Sequence, residues 1–219
     1  SASVAELVFA HLLSGVRFLH DSNRNMPLDG DSKFKQLKKN YASGTELRGK
    51  TLGIIGCGRI GQATAKVALS LGMKVLFNDH HTKEASVELS FYDGQTVYFN
   101  IQNSEFDTLL KNSDFITIHV PTQKNYVLGK AEFEKMKTGA AVINASRGGT
   151  LDEVALIDAL GKGKIVFAGL DVFESEPSPE IKILMHPKIS VSPHTGASTI
   201  EAQERISLEL AHQIIDLLN

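Results

Sequence analysis

GIIGCGRIGQ, residues 53–62, places four glycines in ten positions directly after an apolar run. Thr51–Ile55 is rich in β-branched residues and reads as a strand, and Ile60–Leu71 carries a helical pattern. The glycines Gly56, Gly58 and Gly61 therefore sit where a strand turns into a helix. At such a junction Gly56 permits a tight turn, Gly58 lets the backbone approach a pyrophosphate, and Gly61 lets helix and strand pack closely. The free N–H groups at the helix start, together with its dipole, then hold phosphates. A glycine cluster alone also fits an ordinary turn. What favours a dinucleotide is Asp79, at the end of the next strand and eighteen residues past Gly61, placed to hydrogen-bond an adenosine ribose diol. No Arg follows Asp79 to receive a 2′-phosphate and only Lys83 is near, so the expected cofactor is NAD rather than NADP. Cys57 reads as a small loop residue.

Outward from this loop, short apolar runs alternate with helix-length segments. The expected strands are Thr51–Ile55, Lys74–Asn78, Phe115–His119, Ala141–Asn144, Ile165–Leu170 and Ile189–Val191. The expected helices are Ile60–Leu71, Ser104–Lys111, Ala131–Met136 and Glu153–Leu160, with a last amphipathic helix from Thr199 to Leu218 behind a capping-box-like Ser198-Thr199-Ile200-Glu201 start. Near-continuous apolar strands alternating with helices predict an α/β, Rossmann-like, doubly wound parallel sheet. Val4, Leu7, Val8, Leu12, Val16 and Leu19 recur at helical spacing, predicting an amphipathic helix over 4–20. Residues 21–40 are polar, with Pro27 and Gly30, and read as a loop with one short helix. In 84–103, Tyr92-Asp93-Gly94-Gln95 looks like a turn between two short strands of an inserted ribbon.

Composition narrows the function. Of 219 residues, 42% are apolar and 22% charged, which is globular rather than disordered, and the net charge of −2 comes without a basic stripe, so nucleic acid is not expected as a partner. One cysteine excludes an internal disulfide framework and a multi-cysteine metal site, and it fits a reducing compartment; we expect no metal and a cytoplasmic location. The apolar segment 4–19 is broken by Glu6, His11 and Arg17, so no membrane span and no signal peptide is expected.

In an open α/β sheet, ligands bind outside the carboxyl ends of the strands. Polar groups fall at those ends: His119-Val120-Pro121, Asn144-Ala145-Ser146-Arg147, Asp171, and Pro193-His194-Thr195-Gly196. With eight histidines present, counting does not select one. His80 and His81 read as surface or adenosine-edge residues, and His11 and His212 as packing or surface residues on helices; His20 and His186 carry no motif.

The stretches GTELRGKTLGIIGCGRIG (44–61), DFITIHVPT (114–122), VINASRGGTLDEVALIDAL (142–160), GLDVFESEP (169–177) and SPHTGASTIEAQERI (192–206) resemble the cofactor domain of the D-2-hydroxyacid dehydrogenases. ASVAELVFAHLL resembles the helix that links the two domains there, and the HTGASTIEAQ form is most similar to the family's 3-phosphoglycerate-oxidising branch. The resemblance implies a catalytic set of Arg147, Glu176 and His194. His194 would exchange the proton of the substrate hydroxyl, since an imidazole titrates near working pH. Glu176 would fix its tautomer and stabilise the imidazolium. Arg147 would clamp the substrate carboxylate and carbonyl oxygen through parallel hydrogen bonds that Lys cannot copy. On the cofactor side it implies Gly56, Gly58, Arg59, Ile60 and Gly61 at the pyrophosphate and Asp79 at the ribose. It puts His119, Val120 and Pro121 along the adenosine, Ala145 and Ser146 before Arg147, Asp171 on the nicotinamide carboxamide, and Gly196 and Ala197 beside His194.

Only about fifty residues precede the glycine loop, whereas the family builds most of its substrate domain there. The expectation is that residues 1–219 are an NAD-binding domain, with 1–22 as the linking helix and 199–218 leading back toward a substrate domain absent from this chain. The family's small-molecule reaction would be oxidation of 3-phosphoglycerate or its reverse. Alternatives are another 2-hydroxy acid (glycerate or hydroxypyruvate, glyoxylate, D-lactate) and an NAD-sensing corepressor-like interaction protein. The first helix, which lies at the dimer interface in that family, implies a homodimer.

Overall fold

The apolar spacing at the start of the chain does fold as a helix. α1 spans Ala2–Val16 and buries Val4, Ala5, Val8, Phe9, His11 and Leu12. It stops short of the expected end because Phe18 takes a left-handed backbone (φ 56°) and opens a second helix, α2 (Leu19–Asp29), leaving Leu19 exposed. Segment 21–40 holds more helix than expected, most of α2 and then α3 (Phe34–Asn40). Both helices are largely exposed, so periodicity gave no sign of them. A tertiary contact ties α2 to the end of α3: the Tyr41 hydroxyl donates to Asp21 Oδ2 at 2.7 Å and accepts from Asn25 Nδ2 at 2.8 Å.

The computed structural model describes residues 1–218; Asn219, the last residue of the expected domain, lies outside the described residues. From Thr51 strands and helices alternate: β1 (Thr51–Ile55), α4 (Arg59–Ser70), β2 (Lys74–Asn78), β3 (Glu84–Ser90), β4 (Thr96–Gln102), α5 (Phe106–Asn112), β5 (Phe115–Ile118), α6 (Lys130–Lys135), β6 (Ala140–Asn144), α7 (Glu153–Gly161), β7 (Ile165–Leu170), α8 (Ile181–Leu184), β8 (Ile189–Val191) and α9 (Ile200–Leu218). Six strands form one parallel sheet in the order β2-β1-β5-β6-β7-β8. This is the expected doubly wound α/β class. All of β5 and β6 is buried, as strands covered on both faces must be. Leu109, Leu110, Phe133, Leu156 and Leu160 of α5, α6 and α7 pack within one core. Val8 and Leu12 of α1 and Ala65 and Ala68 of α4 pack within the other. The order reverses between β1 and β5, so a crevice opens at their carboxyl ends.

The inserted ribbon is present as β3 and β4, an antiparallel pair. Ala85, Val87 and Leu89 alternate inward, and the following chain closes the β2 edge, with Ser104 N–H donating to Phe77 O at 2.8 Å. Helix α9 starts one residue later than a Ser198 cap requires: Thr199 Oγ1 is the cap, accepting from Ala202 N–H at 3.1 Å. No single helix among the described residues is long and apolar enough to cross a membrane. α1 and α2 pass together by length and composition, but they bend by 57° and α1 is packed in the core.

Candidate active site

The glycine loop turns where the sheet order reverses. Gly56 has φ +94°, and a Cβ there would lie 2.5 Å from His119 O at the end of β5. Gly61, in the first turn of α4, would drive a Cβ into Gly56 O, so helix and loop touch backbone to backbone. Above Gly58, by contrast, a Cβ would meet nothing within 4 Å. α4 begins there with no side-chain cap and no acidic residue in its first turn. An uncapped helix start facing open space is what a diphosphate requires.

Beside this loop lies a cleft of about 840 Å³ lined by Gly56, Gly58, Asp79, His119, Val120 and Pro121 among others. Asp79 Oδ2 accepts Cys57 N–H at 2.7 Å, and Oδ1 accepts His81 and Thr82 N–H at 2.8 and 3.0 Å. Burial pushes its carboxyl up, but these donors outweigh burial and hold it below the usual carboxylate range. Asp79 thus shapes the loop as well as lining the cleft. Burial and the Asp79 charge push the Cys57 thiol up to about 11, so it stays protonated and unreactive near neutrality.

His119 packs its ring between β5 and α4. Nε2 lies 3.1 Å from Thr117 Oγ1 and 3.3 Å from Thr64 Oγ1. Thr64 already donates its hydroxyl proton to Ile60 O, so it accepts from His119 Nε2–H, and Nδ1 is sealed from solvent without a partner. Burial drives this imidazole down to about 4. The sign follows. Above pH 6.5 both folded and unfolded chains hold it neutral, and as pH falls toward 4 only the unfolded chain takes the proton, so stability is lost. The loss amounts to about 3 kcal/mol at most, at ~1.4 kcal/mol per pKa unit. His119→Gln, compared with the parent by chemical denaturation at pH 7 and pH 4.5, should show a visibly flatter pH dependence. Parallel curves would refute a buried neutral imidazole.

A second group forms at the carboxyl ends of β6, β7 and β8. Asn144 organises the loop after β6: its Oδ1 accepts Ser146 N–H and Oγ–H, and its Nδ2 donates to Thr150 Oγ1 and Arg147 O. Ala145 and Ser146 are buried and Arg147 is exposed, with Nη1 donating to Ser146 O. The chain after β7 is pinned to the start of α7, where Glu174 N–H donates to Glu153 Oε1 and Glu153 N–H to Glu174 Oε1. Glu176 leaves this pinned segment, accepting Phe173 N–H on Oε1 at 2.9 Å and meeting His194 Nδ1 with Oε2 at 2.9 Å. The His194 hydrogen bond, helped by Phe173 N–H and the Arg147 charge, overcomes desolvation and holds Glu176 below the usual carboxylate range. His194 is half exposed and sits at φ +54°, a rare backbone for a residue with a side chain.

Asp171 lies elsewhere than on an open surface. It is 1% exposed; Oδ1 accepts Ser192 Oγ–H at 2.6 Å and Thr195 N–H at 2.9 Å, and Oδ2 accepts Gly196 N–H at 2.8 Å. Arg59, Ile60 and Ala197 line a separate hollow of about 540 Å³ against α9, where Arg59 Nη1 lies 3.8 Å from Glu209 Oε1. The expected set therefore falls into an adenosine-side cleft, this hollow, the Arg147–Glu176–His194 cluster with Ala145 and Ser146 leading into it, and the Asp171–Gly196 contact. Sequence reading missed Thr64 and Thr117 on His119, and Ser190 and Ser192 on His11. One signal was available: His11 falls on the apolar stripe of α1 with Val4, Val8 and Leu12, where a polar residue needs a partner. No cluster of metal-ligating side chains occurs among the described residues.

The fold and this arrangement define an α/β dinucleotide-binding domain carrying a histidine–carboxylate–arginine site. Residues 9–196 match the family described as D-isomer specific 2-hydroxyacid dehydrogenase, NAD binding domain, and the chain belongs to that family. Its cofactor is NAD. Over 217 residues it is 40% identical to a hydroxypyruvate reductase of Thermotoga maritima, covering 97% of this chain and 65% of that protein. Over 218 residues it is 38% identical to a D-3-phosphoglycerate dehydrogenase of Archaeoglobus fulgidus, covering 98% of this chain and 38% of that protein. An NAD-dependent formate dehydrogenase from Staphylococcus aureus, solved in complex with NAD, superposes with a TM-score of 0.79 at 25% identity, covering 100% of this chain and 62% of that one. The chain thus spans about two thirds or less of these proteins.

Proposed function

We propose that this chain is the NAD half of a dehydrogenase that oxidises 3-phospho-D-glycerate to 3-phosphooxypyruvate or runs the reverse, completed by a substrate-binding half outside these 219 residues. The observation that carries the reading is the His194 Nδ1–Glu176 Oε2 pair beside Arg147, on the same sheet edge as the glycine loop. Bound NAD supplies the hydride acceptor in oxidation and the hydride donor in reduction. With Nδ1 turned to Glu176, His194 keeps Nε2 for the substrate: it takes the hydroxyl proton during oxidation and returns it during reduction. Glu176, held as a carboxylate, accepts from Nδ1–H and keeps the ring in that tautomer. Arg147 binds the substrate carboxylate as a planar fork. Asp79, Gly58 and the first turn of α4 receive the adenosine ribose and diphosphate.

The phosphoglycerate assignment draws on the 194–203 stretch HTGASTIEAQ and on the relative from Archaeoglobus fulgidus. The second reading, reduction of hydroxypyruvate or a similar 2-keto acid, draws on the more similar relative from Thermotoga maritima. Calorimetric titration of the chain with NADH should give micromolar-range affinity, about −8 kcal/mol; no detectable heat at high micromolar protein would sink the cofactor assignment. Turnover of the completed enzyme over a panel of 2-keto acids then separates the two substrates.

We also propose a homodimer through α1 and its neighbour α2, whose Leu13, Leu19 and Leu28 are exposed apolar residues. Sedimentation at high micromolar concentration should give a single species of twice the 23.8 kDa chain mass, and a lone monomer boundary would count against it. The protonated thiol of Cys57 is compatible with a reducing compartment such as the cytoplasm.

A further inference from the structure

His11 sits on α1, outside every motif of the sequence, yet its ring meets β8 and the start of the loop that carries His194. Its Nδ1 lies 2.8 Å from Ser190 Oγ and its Nε2 lies 2.8 Å from Ser192 Oγ. The protons in this chain can be assigned by elimination. Asp171 is a carboxylate acceptor, so the single hydroxyl proton of Ser192 goes to Asp171 Oδ1. Ser192 Oγ must then accept from His11, which places the His11 proton on Nε2. Nδ1 is left as the acceptor for Ser190 Oγ–H. The ring is 4% exposed, and burial lowers its affinity for a second proton, so both nitrogens keep these roles near neutral pH.

Downstream of Ser192 the same carboxylate holds the backbone that follows His194: Thr195 N–H on Oδ1 and Gly196 N–H on Oδ2. The result is one line of hydrogen bonds, His11–Ser192–Asp171–Thr195/Gly196, buried at His11, Asp171 and Gly196. It runs from a helix on one face of the sheet to the residues whose conformation sets His194 at φ +54°. The fold makes room for it. At Gly169 in β7 a Cβ would lie 2.6 Å from the His11 Cβ, so α1 can lie close enough for His11 to reach β8 only over a glycine.

We propose that His11 is a positioning residue: through Ser192 and Asp171 it holds the left-handed bend that presents His194 to Glu176. It touches neither cofactor nor substrate, and its importance for turnover rests on the reading of His194 as the proton carrier. An apolar core residue at position 11 would fill the space equally well, but it would leave Ser192 Oγ without its donor and free to rotate away from Asp171.

The test uses amide hydrogen exchange by NMR on the chain, followed by kinetics of the completed enzyme. His11→Phe keeps the volume and removes both ring hydrogen bonds, and Ser192→Ala, a smaller change that preserves packing, cuts the line at its next member. Each should speed exchange at Thr195 and Gly196 by about tenfold, the effect of losing one supporting hydrogen bond, while β6 amides are unchanged. His11→Gln, whose amide can still donate to Ser192, should stay within about threefold of the parent. In the completed enzyme His11→Phe should lower kcat about tenfold with the KM for NAD unchanged. Unchanged exchange at Thr195 and Gly196 in Ser192→Ala, or an equal rise throughout β6, overturns the line of hydrogen bonds. Faster local exchange with kcat intact instead overturns the positioning role of His11, whereas a His194→Asn enzyme with full turnover overturns the reading of His194 as proton carrier.

Discussion

Replacing His194 by Asn is expected to lower turnover of the completed enzyme by about 10²–10⁴-fold, the usual contribution of a positioned acid/base. Asn is a better choice than Ala. At φ +54° the backbone of residue 194 is in the left-handed region, which Asn tolerates far better than most residues with a side chain. The bend, and with it the hydrogen bonds of Thr195 and Gly196 to Asp171, is then retained, and the measured loss belongs to the imidazole. NADH affinity by calorimetry should move by less than about twofold, because the glycine loop lies at the ends of β1 and α4 rather than β8. If affinity falls in parallel with turnover, His194 holds cofactor rather than moving a proton.

Gly61→Ala is expected to be the most damaging single methyl in the cofactor site. Its Cβ would run into Gly56 O, a backbone atom that cannot swing aside, so the loop must be pushed away from α4. Overpacking of this kind costs about 1–3 kcal/mol, or a fall in melting temperature of about 2–12 °C for a chain of this size. NADH affinity should drop by at least about 100-fold, since the amides that would face the diphosphate are displaced. Gly58→Ala supplies the control. Gly58 has φ −72°, which Ala adopts freely, and its Cβ meets nothing in the protein. That variant should melt like the parent and still bind NADH more weakly, because the methyl occupies the space left for the ligand. Normal NADH binding in both variants would remove the diphosphate from this loop.

The two variants show what kind of information each level carries. The spacing Gly56-x-Gly58-x-x-Gly61 and the acid at Asp79 are local properties, set within one strand–loop–helix unit, and they could be read without coordinates. The strands were legible for a similar reason: a strand buried on both faces must be almost wholly apolar, and β5 and β6 are. The polar helices α2 and α3 were less legible, because what ties them together is a contact from Tyr41 to Asp21 and Asn25, up to twenty residues away, and not their own periodicity.

By itself the sequence determined the α/β class, the alternation of its elements, the glycine loop, and the residue types available at the strand ends. Hydrophobic periodicity and glycine sterics act over a few residues and so leave a readable trace. Only the tertiary structure decided which of those strand-end residues meet. Glu176 and His194, eighteen positions apart, are joined at 2.9 Å because β7 and β8 are neighbours. Asp171, which the sequence offers only as a strand-end acid, holds Ser192, Thr195 and Gly196 with its two oxygens and so ties β7 to the loop after β8. His11, 179 and 181 positions from its two serine partners, joins them across the packing of α1 on the sheet. Hydrogen bonds depend on distance in space, and no spacing along the chain encodes which buried donor will find which acceptor.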